Sequence, residues 1–252
     1  MQLTVIGSGT ISLSATRGCA AYLVEAGGAR ILMDCGPGAA HTMARHGVDW
    51  WGITHVVLSH WHLDHIGDLP TLIFAWRHAR LEPRSTPLTI VGPAGTRDLI
   101  TRWAAALGDW LTIPGFPVEI IEPALETPFQ LADGVTLNCR SVPHTAESVA
   151  YSIEHDGKRL VYTGDTGDDP SLGAWAAGCD MLLAECSLPD SMPVSIHLTP
   201  SQTAALATAA APGMLVVTHM YPPLEGIDLR AELGARWAGP TVIATDGLVL
   251  DC

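Results

Sequence analysis

The chain has 252 residues, nearly half of them apolar (48%) and only 15% charged, with a formal charge of −13 at pH 7. This composition excludes a disordered chain and a small disulfide scaffold, and the length suits one α/β domain spanning residues 1–252. The acidic balance disfavours a long polyanion as partner, and no apolar run is long enough to cross a bilayer, so the expectation is a cytoplasmic chain without a long nucleic acid or a membrane as partner.

Leu3-Thr4-Val5-Ile6 reads as a strand, followed by Gly7-Ser8-Gly9. That triplet lacks the third glycine of a dinucleotide loop and is expected to form a turn near the active-site rim. Residues 21–32 then read as a hairpin turning at Gly27-Gly28 and ending in the polar turn Asp34-Cys35-Gly36. Residues 54–59 form an apolar, β-branched run expected to be a buried strand. After it, Asp68 is placed to cap a helix with Pro70 in its first turn, and Leu69, Leu72, Ile73 and Trp76 give that helix one apolar face. Residues 96–107 repeat the pattern with Leu99, Ile100, Trp103 and Leu107.

A second hairpin, residues 150–161, echoes the first: Ala, Tyr, Glu, Gly and Arg recur in place around Asp156-Gly157, and the segment ends in Gly164-Asp165-Thr166. Two similar halves suggest two sheets packed face to face with a site at their seam. Residues 181–186 read as a buried strand ending in Glu185 and Cys186. Thr199-Pro200-Ser201-Gln202 is a capping box with Pro at the first helical position, and the Ala-rich run after it stops at Pro212-Gly213. Residues 214–218 complete an α/β alternation as a buried strand. The six cysteines, Cys19, Cys35, Cys139, Cys179, Cys186 and Cys252, form no CxxC pair and are expected to be buried, reduced thiols.

Chemistry concentrates in His60-Trp61-His62-Leu63-Asp64-His65, which leaves the end of a strand. In extended backbone His60 and His62 point the same way and reach one ion, and a turn then lets Asp64 and His65 face a second. Imidazole and carboxylate without thiolate suit zinc, with manganese or iron as alternatives. His144, Asp165 and His219 each follow another strand-like run, where a rigid scaffold presents ligands to a loop-lined cleft. Asp165 has two oxygens with which to bridge two cations. Two such ions activate a water and polarise a substrate oxygen, so the reaction class is hydrolysis, with Asp64 also steering the proton from the attacking water. A second pair, Glu185 and His197, offers a general acid at the start of a capped helix and a carboxylate to orient it.

HxHxDH, a later His, a Gly-Asp and a final Thr-His resemble the signature of the metallo-β-lactamase superfamily over nearly the whole chain. The resemblance implies an αββα sandwich: two mixed β-sheets with helices on their outer faces. It implies His60, His62 and His144 on a first metal, Asp64, His65 and His219 on a second, and Asp165 between them. Glu185, His197-Leu198-Thr199 and Thr245-Asp246-Gly247 are similar to the ribonuclease Z-like branch, in which the matching His assists phosphodiester cleavage. A homodimer is implied as well. Only twenty residues separate His144 from Asp165, leaving no room for that branch's tRNA-gripping arm. With the acidic charge, this leads to the expectation of a phosphodiesterase acting on a small, anionic, cyclic or linear diester. The alternatives are a lactonase, arylsulfatase-like or β-lactamase-type hydrolase, and, in another class, a non-catalytic metal-binding module. Arg17 could contact an anionic substrate, and Trp61 could either line the cleft or pack beneath its loop.

Overall fold

The computed structural model describes residues 1–252. Its first half runs β1 (Gln2–Gly7), β2 (Ala21–Ala26), β3 (Ala29–Met33), α1 (Ala39–Arg45), β4 (His55–Val57), α2 (Leu63–Ile66), α3 (Leu69–His78), β5 (Leu88–Val91), α4 (Thr96–Leu107) and β6 (Val118–Ile121). The second runs β7 (Phe129–Ala132), β8 (Val135–Ser141), β9 (Val149–His155), β10 (Lys158–Tyr162), α5 (Pro170–Trp175), β11 (Met181–Glu185), α6 (Pro200–Ala210), β12 (Met214–Thr218), α7 (Leu229–Gly234), β13 (Thr241–Ile243) and β14 (Val249–Asp251). No helix is long and apolar enough to cross a membrane.

Two seven-stranded sheets result, in the orders β14-β1-β2-β3-β4-β5-β6 and β13-β12-β11-β10-β9-β8-β7. Each contains one of the two echoing hairpins, β2–β3 and β9–β10. From each hairpin the sheet continues in parallel, through β4, β5 and β6 in one and through β11, β12 and β13 in the other. Both sheets are mixed, as the resemblance implies.

Strand alternation builds the layers. Tyr22 and Val24 of β2 and Leu160 and Tyr162 of β10 point into one apolar cluster between the sheets. Leu23 points the other way and packs with Leu72, Trp76 and Ile100 of the helices on its sheet's outer face. Val161 does the same on the opposite face with Leu206 and Leu233. The order is therefore helix, sheet, sheet, helix. Fully burying side chains of this size contributes roughly 1.5–3 kcal/mol each, so neither the seam nor the outer layers can be opened cheaply.

Two local expectations are corrected. Asp68 precedes α3, but its side chain does not cap that helix; Oδ2 accepts from Ala40 N at the start of α1, 2.9 Å away. It ties two helices instead of finishing one. α4 has the expected bounds, yet only Thr96 and Ile100 are buried and Leu107 is 52% exposed. The helix touches the sheet along a narrow stripe, and its apolar periodicity overstates the buried face. All six cysteines are free thiols, and five of them are buried.

Arg84 is 2% exposed and has no carboxylate partner. It donates to the carbonyls of Thr86, Trp51, Ile53 and Pro87 and stacks over Trp76 and Phe116. Burial pushes its guanidinium down to about 10. Arg84→Met keeps much of the volume but strands buried carbonyls, at 1–3 kcal/mol for each one that water cannot reach. Urea denaturation should show a loss of about 3 kcal/mol with an unchanged slope.

Parallel strands of one direction finish at one edge, where a ligand site is favoured in α/β sheets. Asp34, His60, Asp165, Glu185 and His219 all lie at or just beyond the carboxyl ends of β3, β4, β10, β11 and β12. His144 follows β8 by three residues. The fold thus collects onto one edge residues that are up to 185 positions apart in the chain.

Candidate metal centre

Two groups of side chains hold the seven metal-ligand residues expected from the sequence, with their nitrogen or oxygen atoms within 4.8 Å of one another: His60, His62, His144 and Asp165, and beside them Asp64, His65 and His219. A third group, Asp165, His197 and His219, overlaps both and adds His197. His62 ends extended, and the next four residues wind into the single turn α2, which swings Asp64 and His65 round to the second group. Asp165 lies between the groups. Its Oδ2 is 3.8 Å from His60 Nε2, 3.7 Å from His144 Nε2 and 3.3 Å from His65 Nε2, and its Oδ1 is 3.4 Å from His219 Nε2.

The imidazoles are held from behind. His144 Nδ1 donates to Ile196 O at 2.8 Å and His65 Nδ1 to Asp34 Oδ2 at 2.7 Å. Ser59 Oγ donates to Asp34 and therefore accepts from His60 Nδ1, 3.0 Å away. Ser187 Oγ donates to Glu185 and therefore accepts from His219 Nδ1, 3.0 Å away. These proton positions are assigned from the network. Each fixes a tautomer whose unprotonated Nε2 faces the common space, the arrangement a metal-ligating histidine needs.

Electrostatics agree with a cation. Burial and the neighbouring His65 push His60 far below the usual imidazole range, so it stays neutral. Burial opposes charge on Asp165 too, but His219, His65 and His60 together hold its carboxyl well below the usual carboxylate range. His65 is raised despite burial because Asp165 and Asp34 flank it, so a cation bound there would take the place of the proton on its Nε2. His60 Nε2 and Asp165 Oδ1 are buried with no hydrogen-bond partner. His144 Nε2 lies 3.0 Å from His62 Nδ1, and His65 Nε2 lies 3.3 Å from His219 Nε2. Orphaned buried atoms and converging lone pairs are costly alone and are satisfied by divalent cations. The donor set of imidazoles and carboxylates without thiolate fits zinc and its first-row neighbours.

Glu185 and His197 also come together at this edge. Glu185 is fully buried and accepts from Thr166 N, Leu198 N and His197 Nδ1, the last 3.1 Å from Oε2. Burial works against charge on His197, yet the bond to Glu185 outweighs it and raises the imidazole above its ordinary value. The capping box of α6 is present with both of its hydrogen bonds and fixes the backbone just past His197. Asp64 Oδ2 accepts from Ile11 N at 3.0 Å and lies 3.5 Å from His219 Nε2.

Asp34 is the residue that reading the sequence missed, since it appears there only as part of a turn. It is fully buried and accepts from Ser59 N, Ser59 Oγ, Tyr162 Oη and His65 Nδ1. It backs His65 directly and His60 through Ser59. Its φ of 55° is left-handed, as is the 56° of His219. Strain of order 1–3 kcal/mol at each such residue persists only where surrounding contacts over-determine it. Asp34→Asn should weaken metal affinity about 10- to 100-fold, measured by competition with a chromophoric chelator; unchanged affinity would assign Asp34 to stability alone.

Other residues are resolved plainly. Trp61 Nε1 donates to Thr96 Oγ1 and its ring lies against Gly95, so it packs at the start of α4 while also lining a groove. Arg17 donates to Ser8 Oγ and Ala244 O and lines two neighbouring cavities. Gly7-Ser8-Gly9 is not a turn: Gly7 ends β1, and Ser8 and Gly9 run on from the strand, with Ser8 joined to Asp246 and to Met220 just after His219.

The pattern of the β-lactamase superfamily domain matches residues 29–220. A curated ribonuclease Z of Mycobacterium sp. (strain KMS) is 31% identical, covering 92% of this chain and 89% of that protein. Among solved structures, the metallo-β-lactamase fold protein YhfI from Bacillus subtilis superposes with a TM-score of 0.86 at 23% identity, covering 99% of each chain. The short form of human tRNase Z superposes with 0.79 at 22% identity, covering 100% of this chain and 99% of that one.

These relatives overturn the expectation of a small-molecule substrate with no long nucleic acid as partner. A chain that matches a ribonuclease along nearly the whole length of both is not set apart from RNA by the short span between His144 and Asp165. Net charge was a poor guide for a physical reason. Charges beyond about 8 Å are screened at physiological salt, so a substrate meets the local face and not the sum over the molecule.

Proposed function

The chain belongs to the β-lactamase superfamily and is a metal-dependent hydrolase; on that premise we propose that it cleaves phosphodiester bonds, with RNA as the substrate class to test first. The observation that carries this reading is the buried Glu185–His197 pair beside the metal cluster, 3.1 Å from Oε2 to Nδ1. A phosphodiester needs a proton for its leaving alkoxide, and the imidazole held by Glu185 is placed to supply one; a lactone or β-lactam needs a leaving-group proton as well, and the similarity to ribonucleases is what favours the diester over them.

The residues to hold two divalent cations are His60, His62 and His144 for the first, Asp64, His65 and His219 for the second, and Asp165 for both. Bound there, such ions supply an activated water and stabilise charge on the phosphoryl oxygens. The chain's own groups do the rest. Asp64 takes the proton that the attacking water loses. His197, its Nδ1–H given to Glu185, delivers a proton from Nε2 to the leaving oxygen as the P–O bond breaks. Glu185 keeps the imidazole in that tautomer and favours its protonated form. Asp34 and Ser187 fix the rings that face the cations.

The test is a labelled RNA with a stem and a 3′ trailer, incubated with the metal-loaded protein beside bis(p-nitrophenyl) phosphate. Cleavage of both, lost on chelation, is the expected result. Turnover of a lactone or β-lactam with neither diester cleaved would replace this reading with the carbonyl-hydrolase alternative.

A further inference from the structure

Trp61 sits between His60 and His62, and its ring has a use that the metal cluster does not explain. One edge is anchored: Nε1 donates to Thr96 Oγ1, and the ring closes against Gly95, where a Cβ would come within 2.7 Å of it. The same side chain lines a groove of 340 Å³ whose other walls include Leu125, Val149, Ser141, Ser148 and Glu147. The groove is tied to the reaction centre along the chain. Trp61 adjoins two proposed ligands in sequence, and Glu147 and Ser148 belong to the short loop that begins at His144.

Its chemistry selects the occupant. No Lys or Arg lines it, and its one charged group is the carboxylate of Glu147, so a second phosphate is disfavoured. The walls are mainly apolar, with the indole of Trp61 among them and a few polar groups, as in sites for planar ligands. Its volume lies at the small end of ligand cavities and is far too small for a helix. Every nucleobase offers a π-face and polar edges, and stacking on an aromatic side chain binds bases with little regard to sequence.

We propose that this groove is the subsite for an unpaired nucleobase adjoining the scissile phosphate, stacked on Trp61. The proposal rests on the phosphodiesterase reading. It makes Trp61 a specificity-determining residue and implies that the substrate is single-stranded at the point of cleavage.

The experiment is calorimetric binding of a non-hydrolysable methylphosphonate dinucleoside to the metal-loaded protein, beside abasic analogues lacking one base or the other. Wild type should bind the intact compound about tenfold more tightly than one of the abasic analogues. Trp61→Leu should remove that difference, and Trp61→Phe should retain most of it. Metal content is measured in the same preparations. Leu125→Glu, which obstructs the groove without touching Trp61 or any proposed ligand, should act like Trp61→Leu and decides the matter if Trp61→Leu loses metal. Equal binding of intact and abasic compounds by wild type overturns the proposal. So does a Leu125→Glu protein that still prefers the base. Hydrolysis of bis(p-nitrophenyl) phosphate by the same preparations reports on the phosphodiesterase reading separately: base-dependent binding without turnover would preserve the subsite and reject the reaction.

Discussion

Replacing His197 by Ala should lower kcat for a phosphodiester by about 10²- to 10⁴-fold while metal content stays at the wild-type value. His197 lies beside the ligand groups, with Nδ1 3.9 Å from Asp165 Oδ2, but its nearest partner is Glu185. Removing it takes away the proton for the leaving oxygen and leaves the seven proposed ligands in place. KM should change little, because the loss falls on the transition state. The effect should shrink for an ester whose leaving group is already acidic, such as p-nitrophenolate, and be largest for an RNA 2′- or 3′-alkoxide. Glu185 would be left buried, but it still accepts from Thr166 N, Leu198 N and Ser187 Oγ, so the variant should fold. If metal is lost together with activity, His197 would be a ligand, as its closeness to Asp165 and His219 also permits.

The second large effect is expected at Asp165. Its two oxygens face different imidazoles, Oδ2 toward His60, His144 and His65 and Oδ1 toward His219. Asp165→Ala removes the one carboxylate shared by both groups. The cation contribution to the transition state is several kcal/mol, so turnover should fall by about a thousandfold or more. The thermal signature should differ from that of His197→Ala. Chelation lowers the melting temperature of the wild type, because a cation that binds only the folded state stabilises it by mass action. In Asp165→Ala that shift should be nearly absent. Full metal occupancy with turnover within tenfold of wild type would remove Asp165 from the centre.

Much of this centre was legible in the sequence because its residues obey local rules. His60, His62, Asp64 and His65 are consecutive enough for strand and turn geometry to bring them together, and Asp165 and His219 stand directly after apolar runs that had to be strands. The hairpin echo anticipated the two sheets because a β-turn and alternating burial leave a strong local pattern. Asp34 was illegible for the opposite reason. Its partners, Ser59, His65 and Tyr162, are 25, 31 and 128 residues away, and nothing local distinguishes it from a turn aspartate. Its left-handed φ, a signal visible only in three dimensions, is what marks it. Ser187 escaped notice similarly, as a hydroxyl whose value lies in linking Glu185 to His219. The substrate class was misjudged because composition averages over a surface of which the substrate touches one face.

The central claim is a hydrolytic centre that requires divalent cations on both groups of ligands. The direct measurement is titration of chelated protein with zinc or manganese, following bound metal and diester hydrolysis together. Activity that rises to a plateau at two equivalents per chain, and is not restored by metal in Asp165→Ala, is the predicted result. A protein carrying two equivalents that cleaves neither RNA nor bis(p-nitrophenyl) phosphate, or one that cleaves them fully without metal, would contradict the account.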